Sequence, residues 1–138
     1  MDEHYQGFGH IGIDTNDISE SIAFYEKIGG KLRYHTVRKS SEGKEKHLAL
    51  MSYAGVELEL IQGFDPKPLR EGIVTHFAVN VRDVAAAGKA LQEIGINTFE
   101  TAEKKYISDL FGGIDVWTFT GPSGERIQLQ RCDEWDNQ

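Results

Sequence analysis

The sequence predicts an α+β protein made of two tandem βαβββ modules. Three observations carry that prediction. The first is an internal repeat: Gly9-His10-Ile11-Gly12-Ile13-Asp14 returns as Thr75-His76-Phe77-Ala78-Val79-Asn80, the histidines 66 positions apart (76 − 10). At the same offset Asp17 matches Asp83, Ile28 matches Ile94 and Gly29 matches Gly95. The second is a switch, in each half, from two-residue alternation of apolar side chains to helical spacing. The third is the turn chemistry that divides the rest of each half into three more strands. A chain of 138 residues has the size of one ordinary domain, or of two half-size units sharing a core.

The elements come in order along the chain. Residues 8–14 and 74–81 alternate and read as the opening strands, with Ile11 and Ile13, or Phe77, Val79 and Val81, on one face. Asp17 and Glu20 have capping-box spacing, so Asp17 can accept from the first free amides of a helix. Ile18, Ile22, Tyr25 and Ile28 then recur at helical spacing until Gly29-Gly30 stops them. The second helix runs from Asp83 through Val84, Leu91 and Ile94 to Gly95. Further strands are expected at about 31–38, 46–53 and 56–62, and at about 96–101, 114–120 and 126–131. Ser40-Ser41-Glu42-Gly43-Lys44, Ala54-Gly55 and Pro122-Ser123-Gly124 are their turns. Residues 63–73, with Pro66, Pro68 and Gly72, form the linker. Residues 102–113 read as a long irregular stretch, and the tail after Arg131 reads as loosely held. The expected organisation is one domain, 1–138, of two modules at about 7–62 and 74–131.

Composition excludes several function classes. The net charge is −7, whereas nucleic acid or an anionic membrane calls for a basic face. A single cysteine, Cys132, leaves no disulfide framework and no cysteine zinc cluster. No apolar run approaches a bilayer span, and the start Met1-Asp2-Glu3-His4-Tyr5-Gln6 lacks the regions of a signal peptide. The default expectation is a soluble cytoplasmic protein with a small-molecule partner.

Chemistry is expected on the second face of each sheet. Because side chains alternate, His10, Gly12 and Asp14 lie opposite the packed isoleucines, and His76, Ala78 and Asn80 opposite Phe77 and Val79. On the last strands Leu58 and Leu60, or Ile127 and Leu129, pack, while Glu57, Glu59 and Ile61, or Arg126, Gln128 and Gln130, face away. Aligning the turn glycines Gly55 and Gly124 pairs Glu59 with Gln128, both 69 apart (124 − 55 and 128 − 59). The repeat therefore pairs His10 with His76 and Glu59 with Gln128. Two imidazoles, a carboxylate and an amide oxygen suit a divalent transition metal with open positions. The alternative is that all four are hydrogen-bonded or solvated strand residues. Glu57 is a reserve acid or base on the same face. His47 could reach the site, His35 and His4 read as surface histidines, and Cys132 reads as inert. Trp117 and Phe119 could line the open face or pack under the helix.

These residues resemble a known family. His10-Ile11-Gly12-Ile13, the helix with Phe24-Tyr25, Glu57-Leu58-Glu59-Leu60-Ile61-Gln62 and Gly121-Pro122-Ser123-Gly124-Glu125-Arg126-Ile127-Gln128-Leu129 are similar to the vicinal oxygen chelate superfamily across residues 7–131. That superfamily includes glyoxalase I, methylmalonyl-CoA epimerase, fosfomycin resistance proteins, bleomycin-binding proteins and extradiol dioxygenases. The resemblance implies the glyoxalase/bleomycin resistance fold, a half-open cup of mixed β-sheet. It also implies one divalent ion per site (nickel, cobalt, manganese or zinc) on His10, Glu59, His76 and Gln128, and a homodimer. Asp14 stands where glutathione-using glyoxalases tend to carry arginine, and Gly63 where they carry asparagine. Both point away from glutathione, and Gln128 points away from extradiol cleavage.

The implied activity is a glyoxalase-I-like lyase or isomerase acting on a small 2-oxo or 2-hydroxy compound through a metal-stabilised enediolate. Glu59 is the expected base and Glu57 its reserve. Two alternatives stand beside it: an epimerase of the methylmalonyl-CoA type, and a metal-free cup that sequesters an aromatic or cationic compound, to which Tyr53, Trp117 and Phe119 would contribute.

Overall fold

The computed structural model describes residues 2–4, 8–66 and 75–133. The linker beyond Pro66, the first residue of the second expected opening strand, and the tail from residue 134 with Trp135 lie outside the described residues. The chain divides into two compact units, Met1–Leu69 and Arg70–Gln138. No helix among the described residues is long and apolar enough to cross a membrane.

The first unit runs β1 (Ile11–Asp14), α1 (Ile18–Lys27), β2 (Lys31–Lys39), β3 (Glu45–Tyr53) and β4 (Val56–Gln62). Its sheet has the order β1-β4-β3-β2, with β1 parallel to β4 and the other neighbours antiparallel. Asp17 caps α1 by accepting from Glu20 N at 3.1 Å. A second acceptor comes from the sheet: Gln62 Oε1 takes the Ile18 amide at 2.7 Å. Gly29, at φ +106°, ends the helix. Ile18, Ile22 and Tyr25 of α1 are buried with Met51, Leu58 and Leu60 of the sheet. Below the helix start, Thr15 and Ser21 hydroxyls satisfy one another at 2.5 Å, which lets two polar side chains be buried.

The second unit repeats the plan with β5 (Phe77–Asn80), α2 (Val84–Glu93), β6 (Lys105–Ile107), β7 (Ile114–Thr120) and β8 (Arg126–Cys132), in the order β5-β8-β7-β6. Asp83 caps α2 through Ala86 N at 3.0 Å, and Gly95 ends it at φ +97°. Helix and sheet meet at Gly88, where a side chain would overlap the Trp117 ring. The two sheets are mixed, neither closes into a barrel, and the α+β βαβββ plan holds in both units.

Four expectations need correction. The opening strands are shorter than 8–14 and 74–81, because the parallel register places residue 8 beside Gly55, in the turn before β4. The strand expected at 96–101 is reduced to one bridge, Phe99 to Phe119. There Thr98 Oγ1 replaces a backbone acceptor, taking the Thr120 amide at 3.3 Å. The edge strand forms later, at Lys105–Ile107, inside the stretch read as irregular. Along β7 the pairing sum moves from 218 (99 + 119) to 221 (105 + 116), so three extra residues are looped out between the two contacts. Trp117 donates to the Thr101 carbonyl at 3.0 Å and holds that loop against the sheet. Finally, β8 continues past Arg131 to Cys132, which is buried and donates to the Phe111 carbonyl.

Candidate metal centre

Register decides which side chains share the open face. On β1 and β4, Gly12 lies beside Glu59; on β5 and β8, Ala78 lies beside Gln128. In both units a small residue therefore sits next to the oxygen donor, and a histidine stands two positions earlier. Leu58 and Leu60, or Ile127 and Leu129, are buried on the opposite, helix-bearing face.

In the first unit His10 Nε2 stands 3.7 Å from Glu59 Oε2. That is too long for a hydrogen bond. It is short enough for both atoms to touch one ion at about 2.1 Å from each. Both side chains remain accessible, at 49% and 32% exposure. The same register carries His10 alongside Glu57. Glu57 Oε1 accepts from Arg33 Nη1, while its Oε2 is buried with no hydrogen-bond partner among the described residues. Arg33 reaches it because the β2–β3 register shifts between Leu32 and Tyr34, leaving Arg33 as a bulge residue aimed at the open face.

The second unit shows the same arrangement with the charges exchanged. Arg126 takes the place of Glu57, alongside His76, and donates to Glu100 through Nε at 2.6 Å and Nη2 at 2.8 Å. That fork holds the Glu100 carboxyl below the usual carboxylate range. His76 Nδ1 is bonded to Thr75 Oγ1 at 2.9 Å. Gln128 Nε2 donates to Gln130 Oε1 at 3.1 Å, and Gln130 Nε2 to Asn80 Oδ1 at 3.0 Å. The chain of amides turns the Gln128 oxygen away from Gln130. Within each unit the described residues include no group of three histidine, cysteine or carboxylate side chains placed to hold a metal ion. An open groove of about 590 Å³ beside the end of α2, lined by Gln92, Ile96, Phe99 and Thr101, includes none of the four expected ligands.

Other expectations resolve differently. Trp117, Phe119 and Tyr53 are buried on the helix side: Tyr53 against Tyr25, and Phe99 against both Trp117 and Phe119. They do not line the open face, because each shares its strand face with buried core residues such as Met51 or Leu129. His47 faces the helix side as well, where it meets His35, so neither is an isolated surface histidine. Arg33, Glu100, Gln130 and Asn80 add polar contacts beyond the four expected ligands and Glu57. Gln130 and Asn80 had a signal, the i, i+2 spacing from Gln128 and Ala78. Arg33 had none, since a bulge depends on pairing across strands.

Comparison with known proteins decides the family. The family model described as "Glyoxalase/Bleomycin resistance protein/Dioxygenase superfamily" matches residues 7–129. The chain belongs to this superfamily. A relative from Bacillus subtilis (strain 168), "Uncharacterized protein YwbC", is 30% identical over 121 residues, covering 87% of this chain and 93% of its own. Among solved structures, SMU.1112c superposes with a TM-score of 0.71 at 21% identity, over 91% of this chain and 98% of that one. The genomically encoded fosfomycin resistance protein FosX from Listeria monocytogenes, complexed with Mn(II) and sulfate ion, superposes with a TM-score of 0.66 at 16% identity, over 97% and 99%. At those identities the two structures establish a shared fold.

Proposed function

We propose that this protein is a metal-dependent lyase or isomerase of glyoxalase I type, acting on a small 2-oxo or 2-hydroxy compound. The observation that supports it most is the repeated open-face geometry: a histidine and an oxygen donor flank a small residue in each unit, and His10 and Glu59 stand 3.7 Å apart. His10, Glu59, His76 and Gln128 hold the ion. The donors fit a transition metal: two imidazoles, one carboxylate and one amide oxygen, with the amide chain orienting Gln128. A divalent ion there supplies Lewis-acid stabilisation of the charge that builds on two neighbouring substrate oxygens when a C–H bond breaks.

Glu59 moves the proton, which requires its carboxylate to leave the metal. Its carboxylate takes it from the carbon beside one oxygen and returns it to the neighbouring carbon while the hydroxyl proton passes between the two oxygens, which isomerises the substrate, or returns it to the same carbon, which epimerises it. Glu57 is the second carboxylate, oriented by Arg33 with Oε2 unengaged. Asp14 and Gly63 in place of an arginine and an asparagine favour a substrate other than a glutathione adduct. The active species is a homodimer in which each site takes His10 and Glu59 from one chain and His76 and Gln128 from the other. The burial of Tyr53, Trp117 and Phe119 removes the aromatic support for a metal-free sequestering cup.

The test is solvent exchange. Protein loaded with nickel, cobalt, manganese or zinc is incubated in D2O with small 2-oxo and 2-hydroxy compounds and their thiol adducts. Proton NMR should show deuterium entering at the reacting carbon, and Glu59→Gln should abolish it. No exchange with any ion, together with no bound metal, would overturn the reading.

A further inference from the structure

We propose that Arg38 and Lys46 hold a remote anionic group of the substrate, and that the substrate is therefore an acid with an apolar body. The inference names the substrate class of the proposed reaction and rests on that reading for the reacting end, while the anion site itself rests on strand register. Rows of cross-strand partners run over the open face of the first sheet. Tyr34, Leu50, Glu59 and Gly12 form one row, Thr36, Leu48, Ile61 and Asp14 the next, and Arg38 with Lys46 the one after. Leu50 and Lys46 are four residues apart (50 − 46), about 14 Å along the strand. Over that length the face passes from the Glu59 carboxylate, across the half-buried Leu48, Leu50 and Ile61, to two cations.

Two features set this pair apart. Arg38 and Lys46 are direct cross-strand partners on one face, an arrangement in which like charges repel. No carboxylate relieves them, because the acids at this end of the sheet are engaged elsewhere. Glu45 lies with Lys39 and His47 on the helix-bearing face, and Glu42 and Asp65 flank Lys44. Arg38 and Lys46 have no ion-pair partner among the described residues, in a chain where Asp and Glu outnumber Lys and Arg by 22 to 15. Arg38 is exposed and Lys46 half-buried, so an anion on the open face meets a guanidinium fork and an ammonium together. A carboxylate or a phosphate accepts from both and ends their repulsion. The leucines and the isoleucine between the two ends suit a hydrocarbon body lying along the strands.

The anion site is tested first without metal. Octanoate and octanamide share their hydrocarbon chain and differ in charge. In an amide NMR titration of the full-length, metal-free protein, octanoate should bind about ten-fold tighter than octanamide, shift the Thr36, Arg38 and Lys46 signals, and lose that advantage as salt is added. Arg38→Gln and Lys46→Gln should each remove most of the preference. Lys39→Gln, on the opposite face, should leave it intact. Arg38→Gln should also raise the thermal midpoint, since it ends the like-charge pairing. The second arm uses metal-loaded protein in D2O. 2-Hydroxyoctanedioate should exchange its C2 proton with a KM about ten-fold below that of 2-hydroxyoctanoate, and Arg38→Gln should raise KM for the diacid alone, with kcat unchanged. A protein that passes the first arm and exchanges neither acid keeps the anion site and loses the reaction. Exchange of both acids at equal KM keeps the reaction and overturns the substrate class. Equal affinity for octanoate and octanamide, or a preference that survives the double variant Arg38→Gln, Lys46→Gln, would overturn the anion site.

Discussion

Gln128 is the neutral oxygen donor of the proposed set, and its neighbours dictate how it behaves. Its amide nitrogen is spent on Gln130, whose own nitrogen is spent on Asn80. Gln128→Glu should therefore tighten metal binding, because a carboxylate is a stronger donor to a dication and rotation of the Gln130 and Asn80 amides restores the chain. Chelator competition measures the change; unchanged affinity would mean that Gln128 contributes no ligand. Alternation along a strand was enough to place His10, Glu59, His76 and Gln128 on open faces. It was not enough for Tyr53 and Trp117, whose composition suits either a ligand cup or a core. Tyr53 is settled by packing, and burial pushes its phenol up to about 12. A folded value above the unfolded value of about 10 means that its contribution is whole below about pH 10 and is lost as pH rises toward 12. The denaturation midpoint should fall as pH rises from about 10 to about 12 in the parent, and fall less in Tyr53→Phe.

Among the elements, the helices were the most legible and the second edge strand the least. Asp17 caps the first helix as its spacing predicted, and Asp83, its match in the repeat, caps the second, with φ −145° and ψ 106° in the first and −149° and 109° in the second. Asp17→Ala should cost less than Asp83→Ala, because Gln62 still accepts the Ile18 amide when the first cap is lost. The expected loss at Asp83 is about 1 kcal/mol, read as a lower thermal midpoint. At Gly88 packing overrides local propensity. An alanine inside a helix is worth about 1 kcal/mol over glycine by propensity, yet the added methyl would strike Trp117. Gly88→Ala should destabilise by about 1–3 kcal/mol, and a gain in stability would mean that α2 is free to move off the sheet. The strand expected at 96–101 failed for a related reason. Its residues do run along β7, but Thr98 bonds through its side chain and three residues loop out before pairing resumes at Lys105.

For the whole molecule, the two halves of the proposed centre lie in different units, so its assembly is a question about chains. Mixing His10→Ala protein with His76→Ala protein separates the possibilities. In an exchanged dimer the mixed species has one intact site and one doubly broken site, so about half a metal ion per chain returns. Sites built inside single chains would each keep one lesion, and no metal would return. The sequence by itself determined the two βαβββ repeats, the Asp17 cap, the turns, and the face taken by residues of the opening and last strands of each unit. Those features depend on neighbours within about four residues, where steric and hydrogen-bonding rules act locally. The tertiary structure alone decided which residues meet: the bulge that brings Arg33 to Glu57, the exchanged pair Arg126–Glu100, the looped-out edge of β7, and the His35–His47–Glu45 chain. Each depends on register between strands that are distant in sequence, and a shift of one residue would send every one of those side chains to the opposite face.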